Sequence, residues 1–77
     1  MNGTYNMTSQ LIKVTNSYSG EVTYLVQDKI EYFYANPKGV NSSWKKEVLT
    51  WVALSSKDEL FPAYESVEYF LAKFPPL

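Results

Sequence analysis

The chain has 77 residues, a formal net charge of −1, and no cysteine, histidine or arginine. Without cysteine it has no disulfide and no thiolate nucleophile, and without histidine it lacks the side chain that titrates near neutral pH. All seven cations are lysines, which lack the bidentate fork that phosphate and guanine recognition favours. The composition therefore predicts a protein that is not an enzyme and has no cofactor or metal, and for which nucleic acid is an unfavoured partner.

Hydrophobic residues make up 45% of the chain and aromatic residues 17%, enough for one core in a domain of this size. Residues 1–9 are polar and lack periodicity, so we expect a disordered segment followed by a single domain over residues 10–77. The first residues do not resemble a signal peptide, and no run of about 18 apolar residues occurs. These features predict a cytoplasmic protein that does not contact a membrane.

The first predicted element is a strand over residues 10–15, which alternates so that Ile12 and Val14 share one face. A polar loop follows and ends at Gly20, as in hairpins that need a positive φ near their close. The chain is therefore expected to turn back on itself after the first strand.

The returning strand is predicted over residues 21–26, and residues 27–29 predict a turn or a single helical turn. Because apolar residues alternate along this strand, we expect an inner side that holds Val22, Tyr24 and Val26. The outer side then holds Glu21, Thr23 and Leu25.

A third strand is predicted over residues 30–35 and carries three adjacent aromatic residues, Tyr32, Phe33 and Tyr34. Successive side chains of a strand point to opposite faces of the sheet, so the three rings cannot all enter one core. The core face takes either Ile30 with both tyrosines or Phe33 with Ala35, and large aromatic surface is left on the other face.

The second half of the chain predicts a central strand, an edge strand and a helix. Residues 48–55 are apolar on both faces, as in a buried central strand, and Pro62 restricts residues 59–63 to a sheet edge or a strand end. Ser66 is a suitable N-cap for a final helix. Its predicted apolar stripe consists of Val67, Phe70, Leu71 and Phe74.

Together these elements predict an α+β fold, with a small curved antiparallel sheet of four to five strands and one C-terminal helix packed on it. The outer aromatic surface of such a sheet has two interpretations. Either the long loop that carries Trp44 folds over it, or it forms an interface with another protein or a second copy. We favour the interface and predict a non-enzymatic protein-interaction or regulatory module. The candidate partner-binding residues are Phe33, Trp44, Tyr34, Tyr18 and Leu25.

The alternative function is a single-stranded nucleic-acid binding protein, in which Tyr32 or Tyr34 stacks on bases and Lys45 and Lys46 contact phosphates. The cations are otherwise scattered among acidic residues, so this alternative is less favoured. Close acidic pairs occur at residues 58–59 and near the helix start, where acidic residues are ordinary turn formers and dipole partners.

Four short motifs resemble those of a small bacterial family linked to flagellar and swarming motility, the FlbD or SwrD proteins. They are "IKVT" at residues 12–15, "GE" at residues 20–21, "IEY" at residues 30–32 and "ESVE" at residues 65–68. The chain differs from that pattern in a longer loop over residues 36–47, more aromatic residues and a two-proline end. The resemblance implies a small cytoplasmic accessory protein that acts through protein contacts, without cofactor or catalytic residues.

Overall fold

A computed structural model describes residues 10–37 and 45–74. Over these residues the protein is a small α+β fold with two antiparallel sheets and a C-terminal helix. The elements are β1 (Leu11–Thr15), β2 (Val22–Val26), a 3₁₀ turn (Gln27–Lys29), β3 (Ile30–Ala35), β4 (Thr50–Leu54), β5 (Leu60–Ala63) and α1 (Val67–Leu71). The predicted disorder of residues 1–9 and the predicted contact of Trp44 fall outside the described residues.

The prediction of four to five strands in one sheet is wrong, because the strands divide into a β1–β2 sheet and a β3–β4–β5 sheet. An isolated antiparallel bridge between Asn16 and Ala63 joins the sheets. Ser17 N donates to Pro62 O at 2.8 Å, and Tyr64 N donates to Thr15 O at 3.0 Å. The pairing between the sheets stops there, since it is Asn16, the residue after β1, that bridges to Ala63, the last residue of β5. Pro62 is on an edge strand of its sheet, as predicted.

The predicted sides of β2 are also wrong. Leu25 is only 6% exposed and belongs to the core, whereas Val22 and Tyr24 face solvent. The hairpin register pairs Ile12 with Leu25 and Val14 with Thr23, and directly paired residues of antiparallel strands lie on the same face. Because Ile12 and Val14 enter the core, the register turns Leu25 inward. The alternate residues of β2, which were predicted to face inward, lie on the outer side of the sheet.

The core lies between the sheets and the helix and consists of Ile12, Val14, Leu25, Val52, Ala63 and Phe70. Helix α1 spans five residues and ends before the predicted stripe is complete. Ser66 caps it as predicted, since its hydroxyl accepts a hydrogen bond from Tyr69 N. Phe70 is fully buried and Tyr69 packs against the core, but Leu71 is 59% exposed. Successive residues lie about 100° apart around a helix, so with Tyr69 and Phe70 on the core side Leu71 turns towards solvent.

A β-bulge in β3 explains how the three adjacent aromatic residues are accommodated. Ile30 pairs with Leu54 and Tyr32 with Ala53, so Glu31 is an extra residue without a partner on β4. A bulge resets the alternation of side chains, and Phe33 therefore reaches the core side together with Ile30. The ring of Phe33 lies 5.3 Å from that of Phe70 and 5.8 Å from that of Phe74.

The contrast between Phe33 and Tyr32 can be tested by truncation. Phe33→Ala removes a ring that packs against the helix, and we expect it to lower the free energy of unfolding by about 2–4 kcal/mol. Tyr32→Ala, the matched control on the solvent side of the same strand, should cost less than about 1 kcal/mol. Urea denaturation followed by far-UV circular dichroism measures both. Equal losses for the two variants would contradict the inward placement of Phe33.

Candidate functional site

Four of the five predicted partner-binding residues are described by the structure, and these four do not share one exposed face. Leu25 is buried in the core, and Phe33 is half-buried against the helix, so neither side chain lies on an open face. Tyr34 and Tyr18 are exposed, on β3 and in the β1–β2 loop respectively. Trp44 falls outside the described residues. The exposed aromatic surface is therefore built mainly from residues other than those expected.

One exposed surface, which we call the β3 face, consists of Tyr32, Tyr34 and Trp51. The rings of Tyr32 and Tyr34 are stacked with centroids 6.3 Å apart and an interplanar angle of 17°. Trp51 pairs directly with Tyr34 across the strands, and its indole N–H donates to Asn36 Oδ1 at 3.2 Å. The β3 face thus presents two tyrosines that are backed by a half-buried tryptophan.

The second exposed surface, which we call the β2 face, consists of Leu11, Val22 and Tyr24. All three side chains are more than half exposed, on the solvent side of the two-stranded sheet. Sequence reasoning missed this surface because it assigned Val22 and Tyr24 to the inside. The hairpin register could have revealed it, since cross-strand pairing to Ile12 and Val14 places Leu25 and Thr23 inward.

The outer edge of β2 also presents unpaired backbone groups. Asn16 N donates to Glu21 O at 2.8 Å, and Gln27 N donates to Gln10 O at 2.9 Å. Hydrogen-bonded and non-hydrogen-bonded pairs alternate along an antiparallel ladder, so residues 23 and 25 bond to β1 in the same way. The N–H and C=O groups of Val22 and Tyr24 and the N–H of Val26 therefore point away from β1, on the side where β2 has no strand neighbour among the described residues. The C=O of Val26 accepts the first bond of the 3₁₀ turn, for which Val26 is the N-cap.

The opposite edge of β1 is covered by the segment that leads into the helix. The Glu65 carboxylate accepts hydrogen bonds from Thr15 N and from Thr15 Oγ1, both at 2.8 Å. The phenol of Tyr69 donates to Lys13 O, and Thr15 O accepts from Tyr64 N. Side chains and one backbone amide thus pair the groups that β5 does not reach.

Tyr69 sits in an environment that disfavours ionisation. Partial burial raises the pKa of its phenol above the ordinary value, and the charges of Glu65 and ionised Tyr24 raise it further. Lys73 Nζ lies 4.8 Å from the centre of the Tyr69 ring. The protonated phenol is therefore the form that the folded protein favours, which is also the form that can donate to Lys13 O.

A groove of about 350 Å³ opens between β2 and the β4–β5 hairpin. Its apolar wall is formed by Leu25, Leu54, Leu60, Phe61 and Pro62. Polar groups of Asn16, Tyr18, Thr23, Lys57 and Glu59 complete the lining. The groove lies on the inner side of β2, towards which Thr23 and Leu25 point, whereas the β2 face lies on the opposite side of the same sheet.

Over residues 10–37 and 45–74, no three acidic side chains cluster as a metal site would require. In the same residues, no helix is long and apolar enough to cross a bilayer. No family model, curated protein or solved structure matches this chain. The resemblance to the motility family therefore stays a prediction, and the candidate surfaces are interpreted from their own geometry.

The bonds of Glu65 predict a large effect of its removal. Glu65→Ala leaves Thr15 N and Thr15 Oγ1 without their charged acceptor, and such hydrogen bonds contribute about 1.5–3 kcal/mol. We expect the free energy of unfolding to fall by about 2 kcal/mol. Glu68→Ala is the matched control, because Glu68 is an exposed acidic residue of the same segment. Urea denaturation measures both variants. An equally large fall in the free energy of unfolding for Glu68→Ala would contradict a specific stabilising role of Glu65.

The raised pKa of Tyr69 predicts a pH-dependent contribution to stability. The folded protein holds the phenolic proton more tightly than the unfolded chain, whose tyrosine pKa is about 10. The contribution of Tyr69 is therefore complete below about pH 10 and is lost as the pH rises through the folded-state pKa. Tyr69→Phe should be less stable than the native protein at pH 8, and the difference should shrink above about pH 10. A difference that stays constant from about pH 8 to pH 11 in urea denaturation would contradict this.

Proposed function

We propose that this protein is a non-enzymatic protein-interaction module that associates with a second copy of itself through one of its two exposed tyrosine-bearing surfaces, the β2 face or the β3 face. A cytoplasmic setting belongs to the same proposal. The observation that supports it most is the exposure of Tyr24 and Tyr32, at 58% and 56%, on the solvent sides of two different sheets. Small monomeric proteins rarely expose extensive apolar surface without a binding role. Tyrosine suits interfaces because it combines a large apolar ring with a polar end.

The charge of the chain favours a protein partner of this kind. A net charge of −1 produces little repulsion between two copies and little attraction for a polyanion. Lys46 Nζ lies 5.2 Å from the ring of Tyr64, and Lys73 lies over Tyr69. Both rings are outside the β3 face, where bases would stack on Tyr32 and Tyr34. The arrangement thus supports association between proteins over binding of single-stranded nucleic acid.

Self-association can be measured directly. Multi-angle light scattering on samples at about 10 μM and about 1 mM brackets the range of weak protein dimers. We expect the mean mass to rise from that of the monomer towards twice that value. A monomer mass at both concentrations would contradict the proposed function.

The nucleic-acid alternative has its own measurement. Binding of a fluorescent oligothymidine is titrated at two salt concentrations, because contacts to several phosphates give a steep dependence on salt. We expect no salt-dependent binding. Tight binding that weakens steeply with salt would favour the alternative.

A further inference from the structure

We infer that the second copy adds to the outer edge of β2, so that two two-stranded sheets join into one four-stranded antiparallel sheet. This inference rests on the proposed self-association and identifies the surface that carries it. The edge offers backbone groups of Val22, Tyr24 and Val26 that point away from β1. An exposed row of such groups is a template for pairing with another chain.

The edges of β1 and β3 are less suited to pairing. The free side of β1 is occupied by Glu65, Tyr69 and the backbone of Tyr64. The outer edge of β3 is interrupted by the bulge at Glu31, which also adds an exposed charge. Bulges and edge charges are the usual means by which proteins block edge-to-edge pairing. Strand β2 has neither, and it contains no proline.

The sequence of β2 is compatible with pairing to itself. An antiparallel arrangement centred on Tyr24 places Tyr24 opposite Tyr24 of the second copy and Val22 opposite Val26 of the second copy. In this register Tyr24 forms a hydrogen-bonded pair with its counterpart and exchanges two hydrogen bonds, and each of the two flanking pairs contributes a bond from Val26 N to Val22 O. Aromatic and β-branched residues on one face then pair directly across the new contact, which is favourable in antiparallel sheets.

Charges at the ends of β2 neither drive nor block the same arrangement. Glu21 precedes the strand and lies opposite Gln27 of the second copy, and the turn that follows carries both Asp28 and Lys29. Lys13 of β1 does not oppose the contact. It lies about 14 Å from its counterpart, three strand spacings away, where salt screens most of the repulsion. A second copy therefore fits this edge through its backbone pattern.

The first experiment places a charge at the centre of the contact. Tyr24→Lys sets two lysines directly opposite each other in the proposed register, and we expect the dimer dissociation constant to rise at least about tenfold. Tyr32→Lys is the matched control, since it changes a tyrosine of nearly equal exposure on the β3 face. It should dimerise like the native protein. Sedimentation equilibrium measures each dissociation constant, and circular dichroism verifies each fold.

A second variant removes a single hydrogen-bond donor in case Tyr24→Lys fails to fold. The N–H of Val22 points outward, so Val22→Pro deletes it without removing a hydrogen bond to β1, and edge strands accept proline at such positions. We expect this variant to fold and to dimerise at least about tenfold more weakly than the native protein. Native-like dimerisation of a folded Val22→Pro would contradict pairing at this edge.

Residue-resolved amide exchange gives an independent readout. The amides of Val22, Tyr24 and Val26 should exchange freely at about 10 μM and become protected at about 1 mM, where the dimer is populated. Three outcomes overturn the inference: a dimer that Tyr32→Lys disrupts and Tyr24→Lys does not, protection that stays absent at both concentrations, and protection already present in the monomer. The first outcome leaves the proposed self-association intact. If the protein is monomeric at all concentrations, both the proposed self-association and the pairing at the β2 edge are wrong.

Discussion

The fold depends on how the free side of β1 is paired once that strand diverges from β5. The amide and hydroxyl of Thr15 would otherwise lie partly buried without partners, which costs about as much as a lost hydrogen bond for each group. Glu65 supplies both partners, and Tyr69 donates to Lys13 O. The backbone carbonyl of Glu65 also accepts from Thr50 Oγ1 at 2.7 Å. One residue thus connects β1, β4 and the start of the helix.

This connection also determines where the helix lies. With Glu65 bonded to β1 and Ser66 capping α1, the first helical turn begins at a fixed position over the gap between the sheets. Phe70 then enters the core and meets Phe33. At the other end, the Gln27 side chain donates to Lys73 O at 2.9 Å. Bonds at both ends compensate for a helix too short to be stable by itself.

The sequence predicted local features well because local chemistry determines them. Gly20 adopts a φ of 78° at the hairpin, and Ser66 caps the helix. β4 lies between two other strands, as its two apolar faces indicated. The α+β class followed from these elements. Each of these features depends on the conformational preference or the polarity of residues that are close together in the chain.

The features that the sequence did not reveal depend on register. Whether Leu25 or Tyr24 faces the core is determined by the length of the β1–β2 loop, and a shift of one residue exchanges the two sides. The bulge at Glu31 has the same effect within β3, and no propensity marks it. The sequence therefore predicted Leu25 and Phe33 at the surface, although Leu25 lies in the core and Phe33 is half-buried against it. Tyr24 was placed inside for the same reason, so the β2 face was not anticipated.

Association and folding are coupled if the copies join at β2. The β1–β2 sheet supplies Ile12, Val14 and Leu25 to the core, yet a two-stranded sheet is only marginally stable without further strands or packing. A partner that pairs only with folded β2 stabilises the folded state by mass action. The gain in stability would fall on the β1–β2 sheet, which the bridge at Asn16 and a few side-chain contacts connect to the rest of the described fold. The edge that is left open on β2 is thus the place where a second copy would contribute most to stability.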